Sequence, residues 1–156
     1  MFSFFGCIHN KDEKTIRLAF EKKFSNHHHM SAAQECPFCK LPKARIWIET
    51  DKALAFCDGF PVSEGHALVI PKAHVASIYD LPAQDLQELW NLVAKVRQEL
   101  QIKYAPDAFN IGVNDGFAAG QTVPHAHIHV IPRKKGDVAD PRGGVRWVIP
   151  GKAKYW

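Results

Sequence analysis

Residues 121–132 read Gln-Thr-Val-Pro-His-Ala-His-Ile-His-Val-Ile-Pro, and histidine occupies every second position in the middle of this stretch, at His125, His127 and His129. Successive side chains of an extended strand point to opposite faces. The pattern therefore predicts a strand over residues 125–131, with three imidazoles on one face and apolar side chains on the other. Because the ordinary pKa of histidine lies near neutral pH, such a row suits proton transfer, metal binding or nucleophilic attack.

The chain around this stretch predicts a sheet covered by one helix. Strands are predicted over residues 45–49, 53–57, 66–70 and 109–113, where strand-forming runs are separated by turn residues. A helix is predicted from Pro82 to about residue 103, since apolar residues recur there on one stripe: Leu86, Leu89, Trp90, Val93, Val96 and Leu100. Several strands around one long helix favour the α+β class with an antiparallel sheet.

Length and charge limit the organisation and the partners. At 156 residues the chain has the size of one domain, which we place at residues 36–156 with a C-terminal tail, after an N-terminal extension over residues 1–35. The formal net charge of +4 is spread along the chain, which favours a small anionic ligand over a nucleic acid. No apolar run is long enough to cross a bilayer and no export signal is recognised, so we expect a cytoplasmic protein without a membrane partner.

Cys36 and Cys39 enclose Pro37 and Phe38 in a Cys-x-x-Cys knuckle. Inside a cell this spacing marks zinc more often than a disulfide. Two alternatives remain open. A redox pair is disfavoured because no strand leads into a helix at the motif, whereas a pair of buried thiols without a metal fits the same letters.

The segment 125–131 resembles the signature of the histidine triad superfamily, in which three histidines alternate with apolar residues and two apolar residues follow. Residues 119–123 and 132–134 resemble the fragile histidine triad branch of dinucleoside polyphosphate hydrolases. Residues 56–58 and 65–74 resemble the nucleotide-binding half of the fragile and Hint branches. The resemblance covers about residues 36–132. It implies a five-stranded antiparallel sheet with one long helix and short ones, commonly in a homodimer whose two sheets become one.

The resemblance also implies roles for individual residues. His127 would attack the α-phosphorus to form a nucleotidyl-histidine intermediate, and His129 would bond the phosphate oxygens and assist the leaving group, with His125 as the first histidine of the triad. The implied substrate contacts are Asp58 at the ribose, His66 in support of the triad, Asn114 near the α-phosphate or ribose, and Gln121 and Thr122 at the phosphates or the departing group. From turn chemistry alone, Gln121, Thr122 and Asp58 could instead close turns.

Many bacterial triad proteins, and the related galactose-1-phosphate uridylyltransferases, hold a structural zinc with two cysteines and two histidines. The resemblance implies that the ligands here are Cys36, Cys39, His74 and His125. Four protein ligands leave no open position for water, so the metal would be structural. Magnesium is a further expectation, because it screens the charge of a polyphosphate substrate.

The implied function is a nucleotide hydrolase acting on dinucleoside polyphosphates such as diadenosine tetraphosphate, or on related purine nucleoside phosphates and phosphoramidates. His129 favours hydrolysis over nucleotidyl exchange, because the uridylyltransferase relatives carry glutamine at this position. A phosphorylase and a nucleotide-binding signalling module with little turnover remain alternatives. The tail over residues 140–150 predicts either a final edge strand or, by resemblance to bacterial hydrolases, a segment beside the active site.

Overall fold

The structure, a computed structural model, describes residues 36–156, so the predicted extension over residues 1–35 lies outside the described residues. A five-stranded antiparallel sheet with strand order β1-β2-β3-β5-β4 forms its centre. The strands are β1 (Ile46–Glu49), β2 (Ala53–Cys57), β3 (Ala67–Pro71), β4 (Ala108–Gly112) and β5 (Ile128–Arg133). The α+β class and the five-stranded sheet are confirmed.

One long helix, α1 (Ala83–Tyr104), covers one face of the sheet. The centre of its buried stripe consists of side chains that are no more than 3% exposed: Leu89, Val93, Val96 and Leu100. Trp90 does not belong to this stripe, contrary to the sequence prediction, and is 42% exposed. At 3.6 residues per turn, Trp90 points about 100° away from Leu89 and therefore towards solvent.

Short helices make up the remaining regular structure. Single 3-10 turns span Lys43–Arg45, Ile78–Asp80, Phe117–Ala119 and Gly144–Val148, and α2 spans Pro150–Ala153. The possible edge strand in the tail is therefore wrong, because Gly143 and Gly144 have φ values of 88° and 47° that an extended strand does not accommodate. Among the helices described in residues 36–156, none is both long and apolar enough to cross a membrane.

The two faces of the sheet differ in what they bury. Ala126, Ile128 and Val130 pack with α1 in one hydrophobic cluster. The opposite face carries a second cluster made of Leu54, Phe56, Leu68 and Ile70, to which Phe38 from the knuckle is added. His129 pairs with Leu68 and Gly112, so its side chain lies on this second face. The alternation predicted for residues 125–131 is confirmed.

The strand carrying the histidines begins later than predicted. His125 and His127 precede β5, and only His129 lies within it. The reason is the approach to the sheet: the N–H of His125 bonds the carbonyl of Val123 at 2.8 Å, and the N–H of Ala126 bonds the carbonyl of Val75 at 2.7 Å. These contacts place His125 in a bend, and His127 follows it just before the strand begins, while both rings stay on the face of His129.

Candidate active site and metal centre

His127 has one ring nitrogen fixed by the backbone. Its Nδ1 lies 2.7 Å from the carbonyl oxygen of His125. Because a carbonyl can only accept, Nδ1 carries the proton and Nε2 keeps a free lone pair. The ring is 6% exposed and packs edge-on against Phe38 and His129, with centroid distances of 5.4 and 5.1 Å. A neutral imidazole with a free Nε2 is a competent nucleophile.

A chain of hydrogen bonds orders the neighbouring imidazoles. The N–H of Val62 donates to Nδ1 of His66 at 3.3 Å, which places the proton of His66 on Nε2. That Nε2 lies 3.0 Å from Nδ1 of His129 and donates to it. The proton of His129 is therefore on its Nε2, on the side away from His66. His129 can donate a hydrogen bond from this nitrogen to a ligand.

His66 and His129 are neutral near physiological pH, because their pKa values are lowered. Burial first, and then the neighbouring imidazoles of His127 and His66, lower the pKa of His129 to about 4. Burial also lowers the pKa of His66, partly opposed by the carboxylate of Asp58. Neutral rings preserve the donor and acceptor order, because a second proton on His66 or His129 would remove an acceptor.

Asp58 has two contacts at the end of β2. Its Oδ1 accepts the N–H of Phe60 at 2.9 Å, which is the turn interaction expected from the sequence alternative. Its Oδ2 lies 3.5 Å from Nδ1 of His66. The side chain is 15% exposed, so it closes a turn and also borders the imidazole chain.

Gln121 braces the loop that leads into the histidines. Its Nε2 donates to the carbonyl of Ala76 at 2.7 Å, and its Oε1 accepts the N–H of Gly116 at 2.9 Å. This geometry matches the loop-closing alternative. Thr122 is exposed in the same loop, and Asn114 is half-buried two residues beyond Gly112, the β4 residue that pairs with His129. Contact with substrate stays a prediction for all three predicted loop residues.

The four predicted metal ligands come together. The ligand atoms of Cys36, Cys39, His74 and His125 all lie within 4.8 Å of one another. Nδ1 of His125 is 3.4 Å from Sγ of Cys36 and 3.5 Å from Sγ of Cys39, and Nδ1 of His74 is 3.3 Å from Sγ of Cys39. A tetrahedral zinc with Zn–S of about 2.3 Å and Zn–N of about 2.0 Å separates sulfur from nitrogen by roughly 3.5 Å.

The tautomer of His125 also suits a metal. Its Nε2 donates to the carbonyl of Pro71 at 2.9 Å, so the lone pair of Nδ1 faces the two sulfurs. Burial and then the neighbouring Cys36 raise the pKa of Cys39 to about 11, so two thiolates would not coexist here without a cation. Both cysteines are free thiols, so both sulfurs are available as ligands.

Phe38 is a site residue that the sequence reasoning missed. Its ring contacts Phe56, His125 and His127 edge-on, with centroid distances of 5.3, 5.8 and 5.4 Å. It therefore joins the knuckle to the imidazole of His127 and to the second hydrophobic cluster. The available signal was its position between Cys36 and Cys39, the two predicted metal ligands of the knuckle.

Together these contacts define an α+β protein with a histidine site in which one imidazole offers a free lone pair and another offers an N–H. A family model described as HIT domain matches residues 41–136, which is more than half of the chain. The chain belongs to the HIT domain family, and the resemblance to the histidine triad superfamily is confirmed.

Relatives named for their activities support this assignment. Over 104 residues the chain is 41% identical to a bis(5′-nucleosyl)-tetraphosphatase (asymmetrical) of Schizosaccharomyces pombe, covering 66% of this chain and 57% of that relative's length. It is 40% identical over 102 residues to an adenosine 5′-monophosphoramidase of the same yeast, covering 63% and 74% of the two chains. A zinc-bound histidine triad family protein from Mycobacterium smegmatis is similar in structure, with a TM-score of 0.63, 33% identity and coverage of 69% and 81%.

Proposed function

We propose that this protein is a nucleotide hydrolase that cleaves dinucleoside polyphosphates, or related nucleoside phosphoramidates, through a nucleotidyl adduct on His127. The observation that carries the proposal is the 2.7 Å hydrogen bond from Nδ1 of His127 to the His125 carbonyl, which leaves Nε2 free to attack phosphorus. The activities for which the related tetraphosphatase and monophosphoramidase are named support the substrate class.

The reaction divides into two displacements at the α-phosphorus. Nε2 of His127 forms a bond to phosphorus, and the bond from phosphorus to the bridging oxygen breaks, with its electron pair leaving on the departing phosphate. His129 donates the hydrogen bond of its Nε2–H to the developing negative charge, and His66 holds this donor in place. Water then attacks phosphorus, the bond to Nε2 breaks, a proton is released to solvent, and the mononucleotide departs.

Trapping the adduct tests the proposal. The protein is mixed rapidly with diadenosine tetraphosphate and denatured without acid, and its intact mass is then measured. We expect a nucleotidyl adduct on the wild-type protein and none on His127→Ala. His129→Asn keeps the nucleophile, so it should still form the adduct, but more slowly. Turnover measured in parallel separates an enzyme from a nucleotide-binding module. Tight binding without adduct or turnover would refute the hydrolase.

We further propose that Cys36, Cys39, His74 and His125 hold a structural zinc. When bound, zinc would replace the thiol protons and fix the knuckle against the residue that precedes the nucleophile by two positions. Elemental analysis should give about one zinc per chain for the wild type and well below that for Cys36→Ala. Lys40→Ala, an exposed change in the same knuckle, should keep the metal. A metal-free wild type, purified without chelator, would favour the buried-thiol alternative.

A homodimer is the last part of the proposal. Strand β4 lies at one edge of the described sheet, with exposed to half-buried side chains and one side of its backbone unpaired by other strands. Pairing of two such edges would join two sheets into one, and a molar mass twice that of the chain in light scattering would support it. The domain bounds, the magnesium and the cytoplasmic location stay predictions.

A further inference from the structure

A cavity of about 750 Å³ lies beside the imidazole chain and contains none of the predicted site residues. Its walls come from three places: the loop of Val62, Ser63 and Glu64, the far halves of β4 and β5, and the tail over residues 137–147. This volume lies in the range of small-ligand sites. The tail forms one wall of the cavity, since the 3-10 turn Gly144–Val148 packs against β4.

The cavity adjoins the site on two sides. Ile131 lines it, and this residue follows His129 by two positions on the same face of β5, which is a distance of about 6.7 Å. Val62 lines it as well, and its N–H is the donor that orders His66. A molecule bound at His129 can therefore extend into the cavity without crossing the sheet.

The charges of the lining disfavour phosphate as its occupant. Arg133 is held by Asp137 and Asn110, and Nζ of Lys134 donates to the carbonyls of Tyr104 and Ala105 at 2.9 and 2.8 Å. Both cations are thus engaged. Of the carboxylates that line the cavity, Asp137 and Asp140 are paired with arginines, whereas Glu64 has no ion-pair partner among the described residues and would repel an anion.

The remaining lining suits a flat, neutral group that carries hydroxyls. Trp147 is 39% exposed, and Val145 and Ile131 add apolar surface beside it. The hydroxyl of Ser63 is buried without a hydrogen-bond partner among the described residues, and Glu64 has no ion-pair partner among them. An aromatic base can stack on the indole, and sugar hydroxyls can donate to a carboxylate.

We infer that this cavity binds the nucleoside at the leaving end of a dinucleoside polyphosphate. The inference rests on the proposed function, because the linking phosphates then lie over His127 and His129 while the second nucleoside enters beneath the tail. It assigns the tail a role in choosing between substrates. A substrate whose leaving group is small would use the triad and ignore the cavity.

A substrate pair tests the inference. Diadenosine tetraphosphate has a second nucleoside, whereas adenosine 5′-phosphoramidate loses only ammonia. For Trp147→Ala, the ratio of kcat/KM for the first substrate to that for the second should fall about tenfold or more, as expected for a lost stacking partner. Val145→Trp, which fills the cavity, should lower the same ratio, and Trp147→Phe should keep most of it.

Trp90→Ala is the matched control, because Trp90 is a tryptophan of similar exposure on α1, away from the cavity. Its ratio should equal that of the wild type. Ratios within twofold of wild type for both Trp147→Ala and Val145→Trp would overturn the inference, and so would equal losses on the two substrates. A wild type that turns over neither substrate refutes the proposed function instead. In that case binding tests the inference about the cavity, through the ratio of the Kd for diadenosine tetraphosphate to the Kd for adenosine triphosphate. This ratio should rise in Trp147→Ala, and an unchanged ratio would overturn the inference.

Discussion

The hydrogen bond from His66 to His129 gives a quantitative prediction for catalysis. Nε2 of His66 lies 3.0 Å from Nδ1 of His129, and His66 is 3% exposed, so water does not readily replace the donor. His66→Ala removes the donor and leaves a half-buried acceptor unpaired. His129 then loses the partner that keeps its proton on Nε2, the nitrogen that we propose donates to the leaving group.

The magnitude follows from the type of bond. A buried group left without its partner costs about 1–3 kcal/mol, and each 1.4 kcal/mol corresponds to about tenfold in rate. We therefore expect kcat to fall about 5- to 140-fold in His66→Ala. KM should change much less, because His66 acts through His129 rather than on the substrate. His66→Gln carries an amide N–H donor and should recover part of the loss.

Steady-state kinetics with adenosine 5′-phosphoramidate measure both parameters, and circular dichroism confirms that each variant is folded. A kcat of His66→Ala within twofold of wild type would refute the reasoning. A glutamine variant no better than alanine would also refute it, because the loss would then come from packing rather than from the donor.

Three further predictions concern folding. Ile128→Ala should lower the free energy of unfolding by about 2–5 kcal/mol, because Ile128 is fully buried, and urea unfolding with a change below about 1 kcal/mol would contradict this. Gly65→Ala should cost more than about 1 kcal/mol, since φ is +81° and the new Cβ would lie 2.9 Å from the ring of Tyr104; a neutral result would contradict the strain. Stability should fall as pH drops from about 6.5 to about 4, because half-buried His129 has a pKa of about 4 in the folded protein, so the unfolded state binds a proton in this range that the folded state does not. His129→Asn should flatten that slope, and an unchanged slope would assign it to other groups.

Local sequence patterns predicted most of the sheet. The predicted bounds of β2 are those observed. The bounds of β1, β3 and β4 differ from the predicted ones by no more than one residue, whereas β5 begins three residues later and ends two residues later than predicted. This success has a physical cause, since the period of two decides which face of a strand is buried and the turn residues limit its length. The start of β5 could not be read in this way, because the N–H of Ala126 bonds Val75, a residue distant in sequence.

The site was predicted as a set of residues rather than as an arrangement. The family resemblance implied Cys36, Cys39, His74 and His125 as metal ligands, and the structure brings their ligand atoms together. It did not indicate Phe38 as their neighbour, nor the cavity under the tail. Those features depend on how the knuckle and the tail fold back on the sheet, and no local periodicity encodes such contacts.

The regular spacing of the three histidines conceals three different chemical states. The backbone decides each state: the Pro71 carbonyl turns the lone pair of His125 towards the sulfurs, and the His125 carbonyl leaves Nε2 of His127 free. His66 places the proton of His129 on Nε2. His125 belongs to both systems, since its ring is one of the four proposed zinc ligands and its carbonyl accepts the hydrogen bond from His127, the proposed nucleophile. We therefore expect a change at the Cys/His cluster to reach His127 through a single residue, without movement of the sheet.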